Sequence, residues 1–286
     1  MRESILSKYM KITKVEALEK IAKRIRMNII QEIYYAKSGH PGGSLSIADI
    51  LTVLYFNEMH INEKEPQAEG RDKLVLSKGH ASSALYAVLA EKGYFPKEEL
   101  VSFRNISSNL QGHPDMNKVA GVDMTTGSLG QGLSVANGMA LASKMDQRGN
   151  RVYCILGDGE LQEGQIWEAA MTSSKYELDN LCVIVDCNNL QLTGKTEEIK
   201  NLNYEDIEQK FRCFGFNTNI IDGHNIEAIL DAFSKAEMCK NKPTAIITKT
   251  VKGKGVSFME NNPNWHGKAP NDEEYRKAIE ELSVEK

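Results

Sequence analysis

The strongest constraint on the fold is a set of short apolar runs with no polar alternation. Residues 151–156, "RVYCIL", and 181–187, "LCVIVDC", are apolar at consecutive positions and rich in β-branched side chains. A strand with one face in water alternates, whereas a run of this kind belongs to a strand covered on both faces. Shorter runs of the same character occur at 73–77 ("KLVLS"), 218–222 ("TNIID") and 244–251 ("TAIITKTV"). Helical periodicity fills the spaces between them. Leu18, Ile21, Ala22, Ile25 and Ile29 predict an amphipathic helix over 15–36, which stops in the breaker cluster "SGHPGG". Ser46 followed by Asp49 reads as a capping box for a helix that turns Ile47, Ile50, Leu51 and Leu54 inward. A helix after residue 77 closes at Gly93, "GQIWEAAMTSSKYE" forms another, and Ile226, Ile229, Leu230 and Phe233 mark a third.

Strands alternating with helices imply right-handed crossovers and a mainly parallel sheet with helices on both faces, a doubly wound α/β fold. No linker-like tract divides the 286 residues. One domain is therefore expected over 1–286, with a tail at 1–14 and a loop plus C-terminal helix at 253–286. The net charge of −4 gives no reason to expect nucleic acid as a partner. No apolar run approaches the roughly 20 residues of a membrane span, and the N-terminus lacks a signal-peptide core. A cytoplasmic location is the expectation. Cys154, Cys182, Cys187, Cys213 and Cys239 form no C-x-x-C pair and read as reduced structural thiols.

In such sheets ligands gather beyond the carboxyl ends of the strands, and four of those ends carry unusual residues: "SKGH", "GDGE", "CNNLQ" and "VKGKG". Neither a G-x-x-x-x-G-K-[ST] loop nor a G-x-G-x-x-G fingerprint after a strand is present, which argues against Walker-type hydrolysis and Rossmann-type hydride transfer. A diphosphate held through magnesium fits better. Mg²⁺ commonly takes one or two protein carboxylate or amide oxygens plus ligand phosphates. Asp158 offers a carboxylate between two glycines, Asn188 an amide oxygen, and a following carbonyl a third ligand. Adjacent strands lie about 4.8 Å apart, close enough to share one cation. The same residues also suit tight turns, because glycine, Asp and Asn all favour them.

Asp158 and Asn188 stand about thirty residues apart in a GDG…NN arrangement that resembles thiamine-diphosphate enzymes. The segments "SGHPGGSLS", "SKGHASSALYA", "QGHPD", "TGSLGQGLSVANGMALA", "GDGELQEGQIWEA" and "KTVKGKGV…WHG" look specifically like transketolase, collinear from about residue 15 to 270. The resemblance implies a thiamine-diphosphate-binding fold that holds the cofactor with Mg²⁺, or Ca²⁺ or Mn²⁺ in its place. It implies metal ligation by Asp158, Asn188 and the main-chain carbonyl of Leu190. Gly159, His80 and His266 would meet the diphosphate, and Asn188 lies beside it. Gly127 would face the cofactor's amine, with Leu129 and Leu192 against its rings. His40, His113 and His266 would serve the sugar. His60 and His224 match no such motif and read as structural or surface residues. Two positions depart from the family pattern: Ser128 stands where proline is common, and Cys187 where an acid often precedes the asparagine.

The implied activity is transfer of a two-carbon ketol unit between sugar phosphates. Proton movement on several hydroxyls near neutral pH is work suited to histidine. In the family, the glutamate serving the aminopyrimidine and the arginines gripping the sugar phosphate lie in a second domain. The chain is therefore expected to need a separate C-terminal transketolase subunit, in a two-plus-two heterotetramer. Alternatives are a transketolase for an unusual sugar phosphate, the α chain of a 2-oxoacid dehydrogenase, a non-catalytic thiamine-diphosphate sensor and a purely structural domain.

Overall fold

The computed structural model describes residues 11–200 and 203–284, so most of the expected tail lies outside the described residues. Helix α1 (Val15–Ala36) buries the stripe Leu18, Ile21, Ile25, Ile29 and Ile33 and ends at Lys37 in the left-handed region. Two short helices follow, α2 (Pro41–Leu45) and α3 (Ala48–Val53). Then come β1 (Lys73–Leu76), α4 (Ser82–Lys92, closed by Gly93 at φ 99°), α5 (Gly132–Met145) and β2 (Val152–Gly157). The chain continues through α6 (Gly164–Lys175), β3 (Leu181–Cys187), the small antiparallel pair β4 (Leu190–Gln191) and β5 (Gly194–Lys195), and α7 (Thr196–Lys200). Last are α8 (Tyr204–Cys213), β6 (Asn217–Asp222), α9 (Ile226–Met238), β7 (Thr244–Lys249) and α10 (Asp272–Ser283).

Five strands form one parallel sheet in the order β1-β2-β3-β7-β6. Alternate residues of each central strand feed opposite cores. Tyr153, Ile155, Cys182, Ile184 and Ile246 join the side covered by α1, α4, α9 and α10. Cys154, Leu156, Val183, Val185 and Ile247 join the side covered by α5, α6 and α8. The steps β2 to β3 and β6 to β7 run in opposite directions across the sheet, so right-handed crossovers place α6 and α9 on opposite faces. This is the doubly wound arrangement the apolar runs imply. It also brings the segments after β1, β2, β3 and β7 to one edge.

The expected capping box is not formed. Helix α3 starts at Ala48 with no side-chain cap. Ser46 instead donates to the Gly43 carbonyl (3.1 Å) and to Asp186 Oδ2 (2.7 Å). Asp49 accepts from Arg26 (2.9 and 2.5 Å) and pairs with His224 Nδ1 at 2.7 Å. Long-range charge partners outcompete the local cap. The breaker cluster also holds a helix, because Pro41 sits at the first turn of α2, where its missing N–H costs nothing. His60 and His224 are structural as expected: His60 is tied to Asp72, and His224 Nε2 accepts from the Val251 N–H at 2.8 Å. All five cysteines are free thiols, and Cys154, Cys182 and Cys187 are buried.

Candidate active site

Two groups of side chains converge at the carboxyl edge of the sheet. The first stands on β2 and β3. Asp158, 2% exposed, accepts from the Gly159 N–H at 2.8 Å and from the Asn189 N–H at 2.6 Å. Burial and the neighbouring Asp186 charge push its carboxyl up to about 7, while those two N–H bonds and Lys252 oppose the rise. Asn188 donates through Nδ2 to Asp186 Oδ2 (2.9 Å), and its Oδ1 accepts from the Leu190 N–H (3.1 Å). The amide orientation is thereby fixed. Gly159 lies against Gln191, which a Cβ would meet at 3.2 Å.

The second group is a histidine cluster. The rings of His40, His80 and His266 stand with centroids 5.3, 5.4 and 5.6 Å apart. Local sequence explains the convergence. A Cβ at Gly42 would meet the Trp265 carbonyl at 2.8 Å, and one at Gly43 would meet His80 Nε2 at 3.3 Å. The glycines of "GHPGG" therefore let three loops close on each other. A Cβ at Gly79 would fall 2.8 Å from Gly127 N, so the "KGH" turn rests on the loop that carries Gly127. His113 is exposed, with its ring 3.2 Å from a Cβ built at Gly127. Leu129 and Leu192 are both exposed, and Leu192 lines one open cavity with His266.

Lys252 joins the two groups. Its ammonium donates to the Leu190 carbonyl (3.0 Å) and lies 2.9 Å from His266 Nδ1. Burial and the nearby Lys78 charge lower this lysine to about 8, so it remains charged at pH 7. An ammonium only donates, so His266 Nδ1 accepts and the ring proton sits on Nε2. Burial, followed by the Lys252 charge, lowers His266 to about 4; burial, followed by Arg104, does the same for His40. Burial and Lys78 hold His80 well below the usual histidine value, and burial and Arg104 lower His113. The four rings are neutral near pH 7, able to donate hydrogen bonds without a fixed positive charge.

Sequence patterns did not single out the residues beneath these groups. Lys78, 1% exposed, donates to the Gly43 carbonyl (2.8 Å) and to Asp186 Oδ2 (2.5 Å). Asp186 is fully buried and also accepts from Ser46, Asn188 and Thr250. Burial alone would raise its carboxyl, but the Lys78 charge and these donors hold it below the ordinary range. Glu160 accepts from Ser77, from the Gly130 N–H (2.9 Å) and from the Gly157 N–H (3.0 Å), fastening the "GSLGQG" loop to the end of β2. The one available signal was an ionisable residue inside or just beyond an apolar run, as in "LCVIVDC" and "KLVLSK".

Residues 17–286 match the family described as transketolase, thiamine diphosphate binding domain. The chain belongs to the transketolase family. It is 47% identical over 268 residues to the 6-deoxy-6-sulfo-D-fructose transketolase subunit SqwG of Clostridium sp. (strain MSTE9), covering 94% of this chain and 97% of that one. It is 41% identical over 269 residues to a Phocaeicola vulgatus protein named as one subunit of apulose-4-phosphate transketolase, covering 94% and 95%. The transketolase structure from Campylobacter jejuni superposes with a TM-score of 0.88 at 35% identity, over 96% of this chain but 44% of that one. The chain thus spans nearly all of two proteins named as subunits but under half of this solved transketolase. The family assignment and the thiamine-diphosphate-binding α/β fold expected from the motifs both stand, as does the placing among thiamine-diphosphate-dependent transketolases.

Proposed function

We propose that this chain is the diphosphate-binding subunit of a transketolase made from two kinds of chain. It would hold thiamine diphosphate and a divalent cation at the ends of β2 and β3 and transfer a two-carbon ketol unit from a ketose phosphate to an aldose phosphate. The observation that carries this reading is the junction at Lys252, where an oxygen-donor cluster meets three histidines of low basicity.

The donor set suits Mg²⁺, with Ca²⁺ or Mn²⁺ as substitutes. It comprises a carboxylate (Asp158), an amide oxygen (Asn188) and a main-chain carbonyl (Leu190), all hard oxygens. Asp158 forms no ion pair among the described residues, so a divalent cation would supply the counter-charge it lacks. Gly159, His80 and Lys252 would line the diphosphate, and Gly127, Leu129 and Leu192 would lie against the organic part of the cofactor. When bound, thiamine diphosphate supplies a nucleophilic carbon and an electron sink for C–C cleavage. The protein's own part is orientation and proton control. His266, its proton on Nε2, donates from the ring edge away from Lys252. His40 and His113, held neutral, bond substrate hydroxyls and the developing oxyanion.

The partner chain would provide the pyrimidine-side domain with its catalytic glutamate, in a two-plus-two heterotetramer working in the cytoplasm. Support comes from the two relatives matched over nearly their full length, both named as subunits. A donor that is not an ordinary sugar phosphate is the alternative, supported by those two names, and a panel including 6-deoxy-6-sulfo-fructose and apulose 4-phosphate would sort the two readings. The direct test is native mass spectrometry of the protein purified from its own cells with ligands retained. A complex with a second, similar-sized chain and thiamine diphosphate is expected. A homo-oligomer with neither, or robust ketol transfer by the pure chain alone, would overturn the two-chain reading.

A further inference from the structure

Arg104 has entered so far only as a charge that lowers His40 and His113, yet its position is specific. It follows the turn Lys97–Ser102 with φ 61°, a left-handed conformation that side-chain-bearing residues seldom adopt. Its own N–H donates to the Leu110 carbonyl at 2.8 Å, closing the loop that leads to His113. The guanidinium turns inward across Gly112, where a Cβ would lie 3.0–3.2 Å from it, so a side chain there would push the guanidinium aside by a few tenths of an ångström. There Nη1 donates to Ser38 Oγ at 2.7 Å, and Nη2 lies 3.3 Å from His40 Nδ1.

A guanidinium has donors and no acceptor, and it does not deprotonate in proteins. Its contact with His40 is a hydrogen bond only if Nδ1 carries the lone pair. The opposite ring edge, Cδ2 and Nε2, faces the cleft, 3.7 Å from a Cβ built on Gly267 and close to the rings of His80 and His266. The charges acting most strongly on His40 are the cations Arg104, Lys252 and Lys78, and its Nδ1 faces the Arg104 donor rather than a carboxylate.

We infer that Arg104 is a positioning residue that locks His40 as the tautomer with its proton on Nε2, aimed into the cleft. His40 is then a fixed hydrogen-bond donor to a substrate oxygen. It cannot accept a proton at that atom, and its only basic site is capped from behind. The substrate-facing role rests on the transketolase reading, but the tautomer does not.

The experiment is long-range ¹⁵N–¹H correlation NMR of the full chain labelled at histidine, with His40 assigned by the loss of its signals in His40→Gln. At pH 7 the wild-type protein should show an unprotonated Nδ1 and a protonated Nε2. Arg104→Met should shift the His40 Nδ1 resonance and admit the second tautomer. Arg104→Lys, which keeps a donor, should restore most of the wild-type pattern, and Ser38→Ala should leave it intact. Amide spectra report whether each variant folds, and if Arg104→Met does not, the wild-type and lysine spectra decide. A protonated Nδ1 in the wild type, or a His40 spectrum indifferent to Arg104, would overturn the inference. In the assembled enzyme, Arg104→Met should lower kcat by about tenfold or more, the direction a wrong tautomer imposes, with a smaller change in KM. Absence of ketol transfer with an intact tautomer lock would instead refute the transketolase reading alone.

Discussion

The Lys78–Asp186 pair tests whether the site stands on a buried electrostatic frame. Lys78 is 1% exposed and Asp186 0%, with Nζ 2.5 Å from Oδ2. The other ammonium partner is the Gly43 carbonyl, a neutral group. In Asp186→Asn the amide oxygen can still accept from Lys78, Ser46 and Asn188, so most of the geometry survives while the counter-charge is lost. Removing one member of a buried pair leaves an uncompensated charge and costs about 3–5 kcal/mol. At roughly 2–4 °C per kcal/mol for chains somewhat shorter than this, the melting temperature should fall by roughly 6–20 °C, toward the lower end for a chain of this length. The Asp186 carboxyl is held below the ordinary range, so its contribution is complete above about pH 4 and is lost only as pH falls through the folded value. The Asp186 charge also helps raise Asp158 to about 7, so its removal relieves the fold as Asp158 ionises, and the deficit should be smaller at pH 8 than at pH 6. Lys78→Met alone leaves Asp186 with its hydroxyl and amide donors, and the double variant removes both charges together. Urea denaturation of all four proteins should show the double variant less destabilised than the sum of the singles by about 1–3 kcal/mol. A cost below about 1 kcal/mol for Asp186→Asn, or strictly additive singles, would show that the charges are not coupled as the structure has them.

Asp158→Ala should abolish Mg²⁺-dependent thiamine diphosphate binding, followed by calorimetric titration, while the far-UV circular dichroism spectrum is unchanged; unaltered affinity would remove Asp158 from the metal. His113→Ala should lower turnover of the assembled enzyme by roughly 10²-fold, and a variant that loses only thermal stability would return His113 to a structural role. Glu32 is fully buried with neither carboxyl oxygen hydrogen-bonded among the described residues, and burial raises its carboxyl well above the ordinary value. A raised carboxyl destabilises the fold as pH climbs above the unfolded value of about 4.3, by up to about 1.4 kcal/mol per pH unit until the folded value is reached. Glu32→Gln should thus gain stability over wild type at pH 8 relative to pH 5 in chemical denaturation; parallel pH dependences would disprove a buried, ionisable Glu32.

What could be read in the sequence was whatever is written locally. The runs at 151–156 and 181–187 named their strands to within a residue, because burial on both faces leaves no polar alternation to confuse. The glycine-flanked histidines were legible for a similar reason: "GHPGG" and "KGH" spend glycine where a side chain would strike a neighbouring loop. Ser46 and Asp49 show the opposite case. Their spacing fits a capping box, but one partner of Ser46 is Asp186, and Asp49 serves Arg26 and His224. No four-residue pattern carries that information. Buried lysines are hidden in the same way, since a lysine in a loop is by default exposed, and only the crossing of β1, β3 and β7 shows what Lys78 and Lys252 hold.

This division has a chemical logic. The groups proposed to meet ligand sit in short glycine-rich loops, where their spacing is set by backbone approach and so leaves a trace in sequence. The groups that fix their charge and orientation come from elsewhere in the chain: Arg104 for His40, Lys252 for His266, Asp186 for Asn188. In each case a donor-only or acceptor-only group meets a side chain with two possible arrangements and leaves it one. Replacement of the supporting member by a side chain of similar size is therefore the sharper probe. Arg104→Met, Lys252→Met and Asp186→Asn keep much of the volume while removing the charge, and the first two remove the donors as well. If those three variants bind thiamine diphosphate and turn over like wild type, the supporting layer is packing alone. If each shifts the partner it touches, the orientation of the ligand-facing side chains is set from behind.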